Sequence, residues 1–192
     1  MTTDLVALDA VATAQLVRSG QASPVEVVQA ALTRLQQRNP AINAVIDVWA
    51  DEALAQARAG VPQGLLAGVP MLLKDTIDHP GHRYAMGSRL RLGTSGRHLD
   101  PWVAAMRAEG AIFIGKTNTP EFGLMDVTEP LAFGPTRNPW RHSLASGGSS
   151  ESQKNCRMNA IGLQFTDASM LRPMISIAIT PHTSDRKPVV PR

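Results

Sequence analysis

Two short stretches of this 192-residue chain carry side chains that could transfer protons. In the first, Lys74 follows the apolar run "PMLL" and precedes Asp75. A lysine after a strand is more often a solvated charge, but burial disfavours the ammonium form and lowers the pKa, so a lysine leaving an apolar layer could act as a base. In the second, residues 146–152 read "SGGSSES". This composition is common in flexible linkers, but its glycines also permit backbone angles that hold a serine hydroxyl in a catalytic loop.

Residues 110–117, "GAIFIGKT", match the G-x-x-x-x-G-K-T pattern of loops that bind nucleotide phosphates. Such a loop follows a strand, bends so that successive amides point at phosphate, and opens a helix. Here the residues between the glycines are the most strand-like of the chain, and Gly110 follows a helical pattern. We therefore interpret Lys116 as an ordinary strand-end lysine and keep a nucleotide site at 110–117 as a less favoured alternative.

The remaining reactive residue types form no recognisable site pattern. The five histidines are scattered without ligand spacing, and His79 and His82, which flank Pro-Gly, are interpreted as turn residues. The G-x-S-x-G elbow of many Ser-His-Asp hydrolases is absent from the sequence. The single Cys156 lacks partners for an internal disulfide or a zinc site. No metal site is therefore predicted.

Composition indicates an ordinary globular chain, with 43% hydrophobic, 18% charged and 4% aromatic residues. The sequence contains no run of about 18 apolar residues, so no membrane span is predicted. The N-terminus lacks the pattern of a secretory signal. We therefore expect a cytoplasmic protein without a membrane partner. The net charge is +3, but the basic residues do not form a dense cluster along the sequence, which argues against a nucleic-acid partner. The sequence does not predict the oligomeric state.

Helix and strand signals alternate along the first 140 residues. Apolar spacing, the capping box "SPVE" at 23–26 and the breaker Pro40 define these elements. The predicted helices lie at 5–16, 24–39, 50–59 and 100–110, and the predicted strands at 42–48, 68–75 and 111–115. The first strand is expected to bury one face, made of Ile42, Ala44, Ile46 and Val48. The alternation predicts an α/β fold in which a layered sheet is flanked by helices.

Five stretches then have to be considered together, because their order is more specific than any one of them. They are "SPVEVVQAALTRLQQRNPAINAV" (23–45), "LLAGVPMLLKD" (65–75), "GAIFIGKTNTPEFG" (110–123), "FGPTRNPW" (133–140) and "SGGSS" (146–150). In this order they resemble the amidase signature family of serine hydrolases, which cleave carboxamide C–N bonds. The resemblance covers about residues 5–150.

The resemblance implies a Ser-Ser-Lys site. In the family, a neutral lysine at a strand end is the general base, and a serine of the Gly-Gly-Ser-Ser loop, often next to a cis peptide bond, relays the proton. A second serine, in a later Asp-x-Gly-Gly-Ser loop, is the nucleophile. The base corresponds to Lys74 and the relay serine to Ser149, with Ser150 beside it. The resemblance also implies a small-molecule amide substrate, no metal or organic cofactor, and an incomplete amidase-signature fold.

The sequence departs from the family pattern after Ser150. The two glycines expected next are missing, and Asp167-Ala168-Ser169 stands where Asp-x-Gly-Gly-Ser is expected, so Ser169 is the candidate nucleophile. Loss of one oxyanion donor typically costs about 2.7–4 kcal/mol of transition-state stabilisation, so we expect weak or absent activity.

The departure divides the chain into residues 1–150, the N-terminal part of an amidase-signature domain, and residues 151–192, an altered and poorly ordered remnant of the nucleophile region. A degraded gene, a local sequence error, or a partner chain that supplies the rest would each explain the change. The alternative function is a non-catalytic remnant or a binding protein.

Overall fold

The computed structural model describes Leu5 and residues 7–147. Four helices and three strands follow one another along this part of the chain. They are α1 (Ala10–Arg18), α2 (Pro24–Ile42), β1 (Val45–Val48), α3 (Ala50–Ala59), β2 (Pro70–Lys74), α4 (Pro101–Ala108) and β3 (Ile112–Thr117). Two single turns of 3-10 helix lie at Arg89–Arg91 and Glu121–Gly123.

The three strands form one mixed sheet in the order β1-β3-β2. The central strand β3 runs antiparallel to β1 and parallel to β2. The connection from β2 to β3 contains α4, and a helix is the usual crossover between parallel strands. The α/β class predicted from the sequence is thus confirmed.

Helices cover both faces of the sheet because successive residues of a strand point to opposite sides. On one face, Ile112 and Ile114 of β3 pack with buried residues of α2 and α3. On the other face, Phe113 packs with Met71 and Leu73 of β2 and with buried residues of α1 and α4. The result is a helix–sheet–helix layering with a hydrophobic core on each side of the sheet.

The helix starts follow local capping chemistry. The predicted capping box of α2 is confirmed, with Ser23 Oγ accepting from the Glu26 amide at 3.2 Å and the Glu26 carboxylate accepting from the Ser23 amide at 2.8 Å. Helix α4 likewise begins after Asp100, whose carboxylate accepts from the Trp102 amide at 2.8 Å. Helix α1, however, begins at Ala10 and not near Leu5, because the Asp9 carboxylate caps it by accepting from the Ala12 amide.

The predicted end of α2 at Pro40 and the predicted buried face of β1 are both wrong. The helix continues through Pro40 to Ile42, and the Asn43 amide closes its last turn on the Asn39 carbonyl at 2.7 Å. The Asn39 side chain then accepts from the amides of Ala44 and Val45, so the strand begins later than predicted. Consequently Val45 is the buried residue of β1, whereas Val48 is 43% exposed.

A bulge in the central strand determines which side chains reach which face near its end. Met71 pairs with Phe113 but the next residue of β2, Leu72, pairs with Gly115, so Ile114 is the extra residue. Gly115 has a φ of 155°, and a Cβ there would collide with the carbonyl oxygen of Asp47. After the bulge, Lys116 pairs with Leu73 and therefore lies on the Leu73 face of the sheet.

Candidate active site

Lys74 is the last residue of β2 and pairs in register with Thr117 of β3. Since side chains alternate along a strand, Lys74 lies on the opposite face from Leu73. Its side chain is partly buried, and this burial lowers its pKa below the ordinary value of 10.5. A lowered pKa increases the fraction of neutral amine, which is the form that can accept a proton.

A second lysine, Lys116, lies fully buried in the central strand. Its Nζ donates to the Ile77 carbonyl oxygen at 2.7 Å and sits 5.3 Å from the centroid of the Tyr84 ring. Burial lowers the pKa of Lys116, while the carboxylates of Asp75, Asp78 and Asp47 act in the opposite direction. The interpretation of Lys116 as an ordinary strand-end lysine is therefore wrong. The bulge at Ile114 turns its side chain inward, and no local pattern in "GKTN" reveals this.

Asp75, the residue after Lys74, is also fully buried, which the sequence reasoning missed. Its carboxylate accepts from the amides of Ala85 at 3.2 Å and Gly87 at 3.0 Å. Burial raises the pKa of Asp75, whereas these hydrogen bonds and the nearby charge of Lys116 lower it. A polar residue directly after a buried strand was the only sequence signal, and such residues are usually solvated.

Residues 110–117 do not form a phosphate loop. Gly110 lies two residues after the end of α4, and its amide donates to the Arg107 carbonyl at 3.0 Å. Residues 112–117 form the central strand, whose backbone pairs with β1 and β2, so its amides are not arranged around an anion. The lysine of the pattern is buried against Ile77. The nucleotide-site alternative for this stretch is therefore wrong.

A series of hydrogen bonds connects the end of β3 to the start of the serine-rich stretch. Asn118 follows β3, and its Nδ2 donates to Thr136 Oγ1 at 3.0 Å. The Thr136 carbonyl accepts from the Ser146 amide at 2.8 Å. The Thr136 hydroxyl also donates to the Asn43 carbonyl at 2.8 Å, which attaches the same segment to the end of α2. The segment 133–136 thus fixes the position of Ser146 relative to the carboxyl ends of β2 and β3, where Lys74 and Thr117 lie.

Ser149, Ser150 and Ser169 lie outside the described residues, of which Gly147 is the last. Ser146, three positions before Ser149, is buried, and Gly147 is exposed and bridges to Val127. The roles of Lys74 as base and of Ser149 as relay therefore remain predictions. The described residues include Lys74 and the first two residues of the serine-rich stretch, Ser146 and Gly147.

A cluster of aromatic and charged side chains surrounds His79, which the sequence placed in a turn. The ring centroid of Trp49 lies 5.2 Å from that of His79 and 3.7 Å from that of His82. His82 Nε2 lies 2.9 Å from a carboxylate oxygen of Glu52, and Arg107 Nη2 lies 3.5 Å from the other. His79 is only 4% exposed, and its buried Nε2 has no hydrogen-bond partner among the described residues. The turn positions are as predicted, but their side chains pack against α3.

We expect this burial to make stability depend on pH. Burial, and then the charges of Arg107 and His82, lower the pKa of His79 below 6.5, against weaker opposing effects of the Pro80 carbonyl and Glu52. Below pH 6.5 the unfolded chain thus takes up a proton that the folded chain does not, so the free energy of unfolding falls as the pH decreases. Urea unfolding at about pH 7.5 and about pH 5.5 measures this loss.

The His79→Gln variant should lose a smaller part of its stability between these two pH values than the parent chain. His98→Gln is the matched control, because His98 is exposed, and it should behave as the parent does. An unchanged pH dependence in His79→Gln would show that another group is responsible.

The part of the chain that the structure describes contains neither a membrane-spanning helix nor a metal-binding cluster. A helix that crosses a bilayer needs about 20 mostly apolar residues, and none of the helices between residues 7 and 147 provides such a stretch. No group of three or more histidine, cysteine, aspartate or glutamate side chains within residues 5 and 7–147 is arranged to hold a metal ion.

Comparison with known proteins gives consistent matches over most of the described residues. The family described as Amidase matches residues 26–151. The chain is 40% identical over 154 residues to a glutamyl-tRNA(Gln) amidotransferase subunit of Salinispora arenicola, a match that covers 77% of this chain and 31% of the relative. It is 42% identical over 145 residues to the 6-aminohexanoate-cyclic-dimer hydrolase of Paenarthrobacter ureafaciens, covering 74% of this chain and 29% of the relative.

A solved structure of a 6-aminohexanoate cyclic dimer hydrolase in complex with substrate superposes with a TM-score of 0.75 at 39% identity, over 81% of this chain and 33% of that one. The chain therefore spans about a third of the length of the relatives it matches.

Proposed function

This chain belongs to the amidase family, and we propose on that basis that it carries the base and relay residues of a Ser-Ser-Lys site that hydrolyses carboxamide C–N bonds. One observation carries the proposal. Lys74 is a partly buried lysine with a lowered pKa at the end of β2, beside the strand end that hydrogen bonds connect to Ser146. A Ser-Ser-Lys mechanism requires the base and the serine loop to be held close together, here at the carboxyl ends of β2 and β3.

Lys74 is the general base in this proposal. An ordinary lysine is almost entirely protonated at neutral pH and cannot accept a proton. The partial burial of Lys74 at the carboxyl end of β2 favours its neutral form, and the sheet fixes its backbone. Carboxyl ends of parallel strands are a common position for catalytic groups, since side chains from neighbouring strands meet there.

Ser149 is the proposed relay and Ser169 the proposed nucleophile. The neutral amine of Lys74 takes the Ser149 hydroxyl proton while Ser149 takes the proton of Ser169, whose oxygen then bonds to the amide carbon. The C–N bond breaks as the leaving nitrogen receives that proton back through Ser149. Water then attacks the resulting ester, and its proton follows the same route to release the acid and restore Ser169.

The substrate class we propose is a small, linear carboxamide. The names of the relatives include a cyclic-dimer hydrolase as well as part of an amidotransferase, so family membership alone does not select one substrate. We propose no metal or organic cofactor and no nucleic-acid or membrane partner, and a cytoplasmic location. Activity should be weak, because the expected glycines around Ser169 are missing from the sequence.

A fluorophosphonate probe, which bonds covalently to activated serines, tests the proposal. We expect slow labelling of the folded chain at Ser169, identified by mass spectrometry of the digested protein. Ser169→Ala should abolish the label and Ser149→Ala should strongly reduce it, while Ser95→Ala, a change at an exposed serine, should leave it unchanged. A chain that circular dichroism shows to be folded but that takes no label would instead support the non-catalytic alternative.

A further inference from the structure

We propose that Lys116 is a positioning residue for Lys74, because its buried amine fixes the turn that follows the base. This inference rests on the proposed role of Lys74 as the general base. Lys116 makes no direct contact with the reacting atoms in this proposal and acts through the backbone of residues 74–77.

The contacts run from one lysine to the other through a single residue, Ile77. The Lys116 Nζ donates to the Ile77 carbonyl oxygen at 2.7 Å. The Ile77 amide in turn donates to the Lys74 carbonyl oxygen at 2.9 Å. Because Lys116 belongs to the central strand of the sheet, this arrangement attaches the turn to the most buried part of the fold.

The segment that folds over Lys116 is attached at a second point. The Asp75 carboxylate accepts from the amides of Ala85 and Gly87, which brings the far end of this segment back to the residue after Lys74. Tyr84, in the same segment, places its ring 5.3 Å from the Lys116 amine. The Lys74 carbonyl and the Asp75 carboxylate are therefore both hydrogen-bonded to backbone amides of the segment that also contacts the Lys116 amine.

Packing alone does not explain a lysine at position 116. Removing an amine from water is costly, and a methionine of similar length would fill the same space without that cost. The strand also accommodates the special backbone of Gly115 and a bulge at Ile114, which together direct the Lys116 side chain toward Ile77. What the amine provides, and a methionine cannot, is a hydrogen-bond donor to the turn.

The consequence for Lys74 follows from its position on the other face of the sheet. Its burial, and therefore its lowered pKa, depends on where the end of β2 and the turn place its side chain. If the turn moves outward, water reaches the amine and the ammonium form is favoured again. Lys116 should therefore influence the proton affinity of Lys74 without contacting it.

The test measures the reactivity of the Lys74 amine toward acetic anhydride as a function of pH, with quantification of the Lys74 peptide by mass spectrometry. Only a neutral amine reacts, so the pH profile reports the pKa. Relative to the parent chain, Lys116→Met should move the Lys74 profile to higher pH and slow its labelling at about pH 8 by roughly five- to tenfold.

The matched control is Met106→Ala, which removes a buried side chain of α4 that makes no hydrogen bond to the turn after Lys74. This variant should lose stability but leave the Lys74 profile unchanged. Equal shifts in Lys116→Met and Met106→Ala would overturn the inference, since any loss of stability would then suffice. An unchanged profile in Lys116→Met would overturn it as well.

The Lys74 profile of the parent chain tests the proposed function independently of the positioning role. A Lys74 profile there that coincides with that of a free lysine peptide would refute the base itself. A displaced profile that Lys116→Met does not alter would refute only the positioning role.

A second measurement needs no variant and remains decisive if Lys116→Met does not fold. Amide hydrogen exchange of the parent chain should show the Ile77, Ala85 and Gly87 amides protected to the level of the Ile112 amide in β3, which donates to Val69 at 2.9 Å. Rapid exchange at these three amides would mean that the turn is not held, and would overturn the inference.

Discussion

Replacing Lys74 with methionine will slow fluorophosphonate labelling of the chain by at least about 100-fold, the usual lower range for loss of a general base. Methionine has nearly the length of lysine and no proton-accepting amine. It should fit the partly buried site at the end of β2 without disturbing the strand pairing. The loss should therefore reflect chemistry and not unfolding, and thermal unfolding of the variant should match the parent.

The pH dependence distinguishes this loss from a change in probe binding. Labelling of the parent chain should rise with pH as the Lys74 ammonium loses its proton, beginning below the ordinary lysine range because burial lowers the pKa. In Lys74→Met the remaining slow labelling should not follow that rise.

Arg58→Met is the matched control for Lys74→Met. It removes a long cationic side chain that is exposed in the last turn of α3 and has no role in proton transfer in this proposal. This control should retain most of the labelling. If Lys74→Met retains a third or more of the parent rate, Lys74 is not the base.

Replacing Asp75 with alanine will destabilise the chain by about 2–4 kcal/mol, the range for removing a buried charged acceptor and leaving its donors unpaired. The carboxylate is fully buried and accepts from the amides of Ala85 and Gly87. Without it these amides lose their acceptor, and Lys116 loses one of the carboxylates that favour its charged form. Urea unfolding at neutral pH measures the change in the free energy of unfolding.

Asp75→Asn is the more conservative variant for this prediction. Each carboxylate oxygen accepts from one amide, Oδ1 from Ala85 and Oδ2 from Gly87. The asparagine oxygen can replace only one of these acceptors, its NH2 group would face the other amide, and the negative charge near Lys116 is gone. Asp75→Asn should therefore recover only part of the stability that Asp75→Ala loses. A loss below about 1 kcal/mol in Asp75→Ala would show that the buried carboxylate is not a stabilising anchor.

Elements that depend on bonds within one or two turns of the chain were predictable from the residues alone. The capping box at Ser23 and the cap at Asp100 define helix starts through donors and acceptors two or three residues apart. The apolar runs that became β2 and β3 were recognisable for a similar reason, because burial on both faces leaves a continuous hydrophobic stretch. The order of the motifs was enough to identify the family, and the apolar run before Lys74 was enough to place this lysine at a strand end.

The groups that hold the turn after Lys74 and the start of the serine-rich stretch, in contrast, are brought together by contacts between distant segments. The bulge that buries Lys116 depends on the pairing of β3 with β2, about forty residues earlier in the chain. The attachment of Thr136 to Asn43 and of Asn118 to Thr136 likewise joins residues far apart in sequence. A lysine or an aspartate carries no local mark of burial, because its environment is made by strands and loops that the sequence places elsewhere. The lysine that we propose as the base could thus be found from its motif, whereas the groups that hold the turn after it could be found only where the distant segments meet.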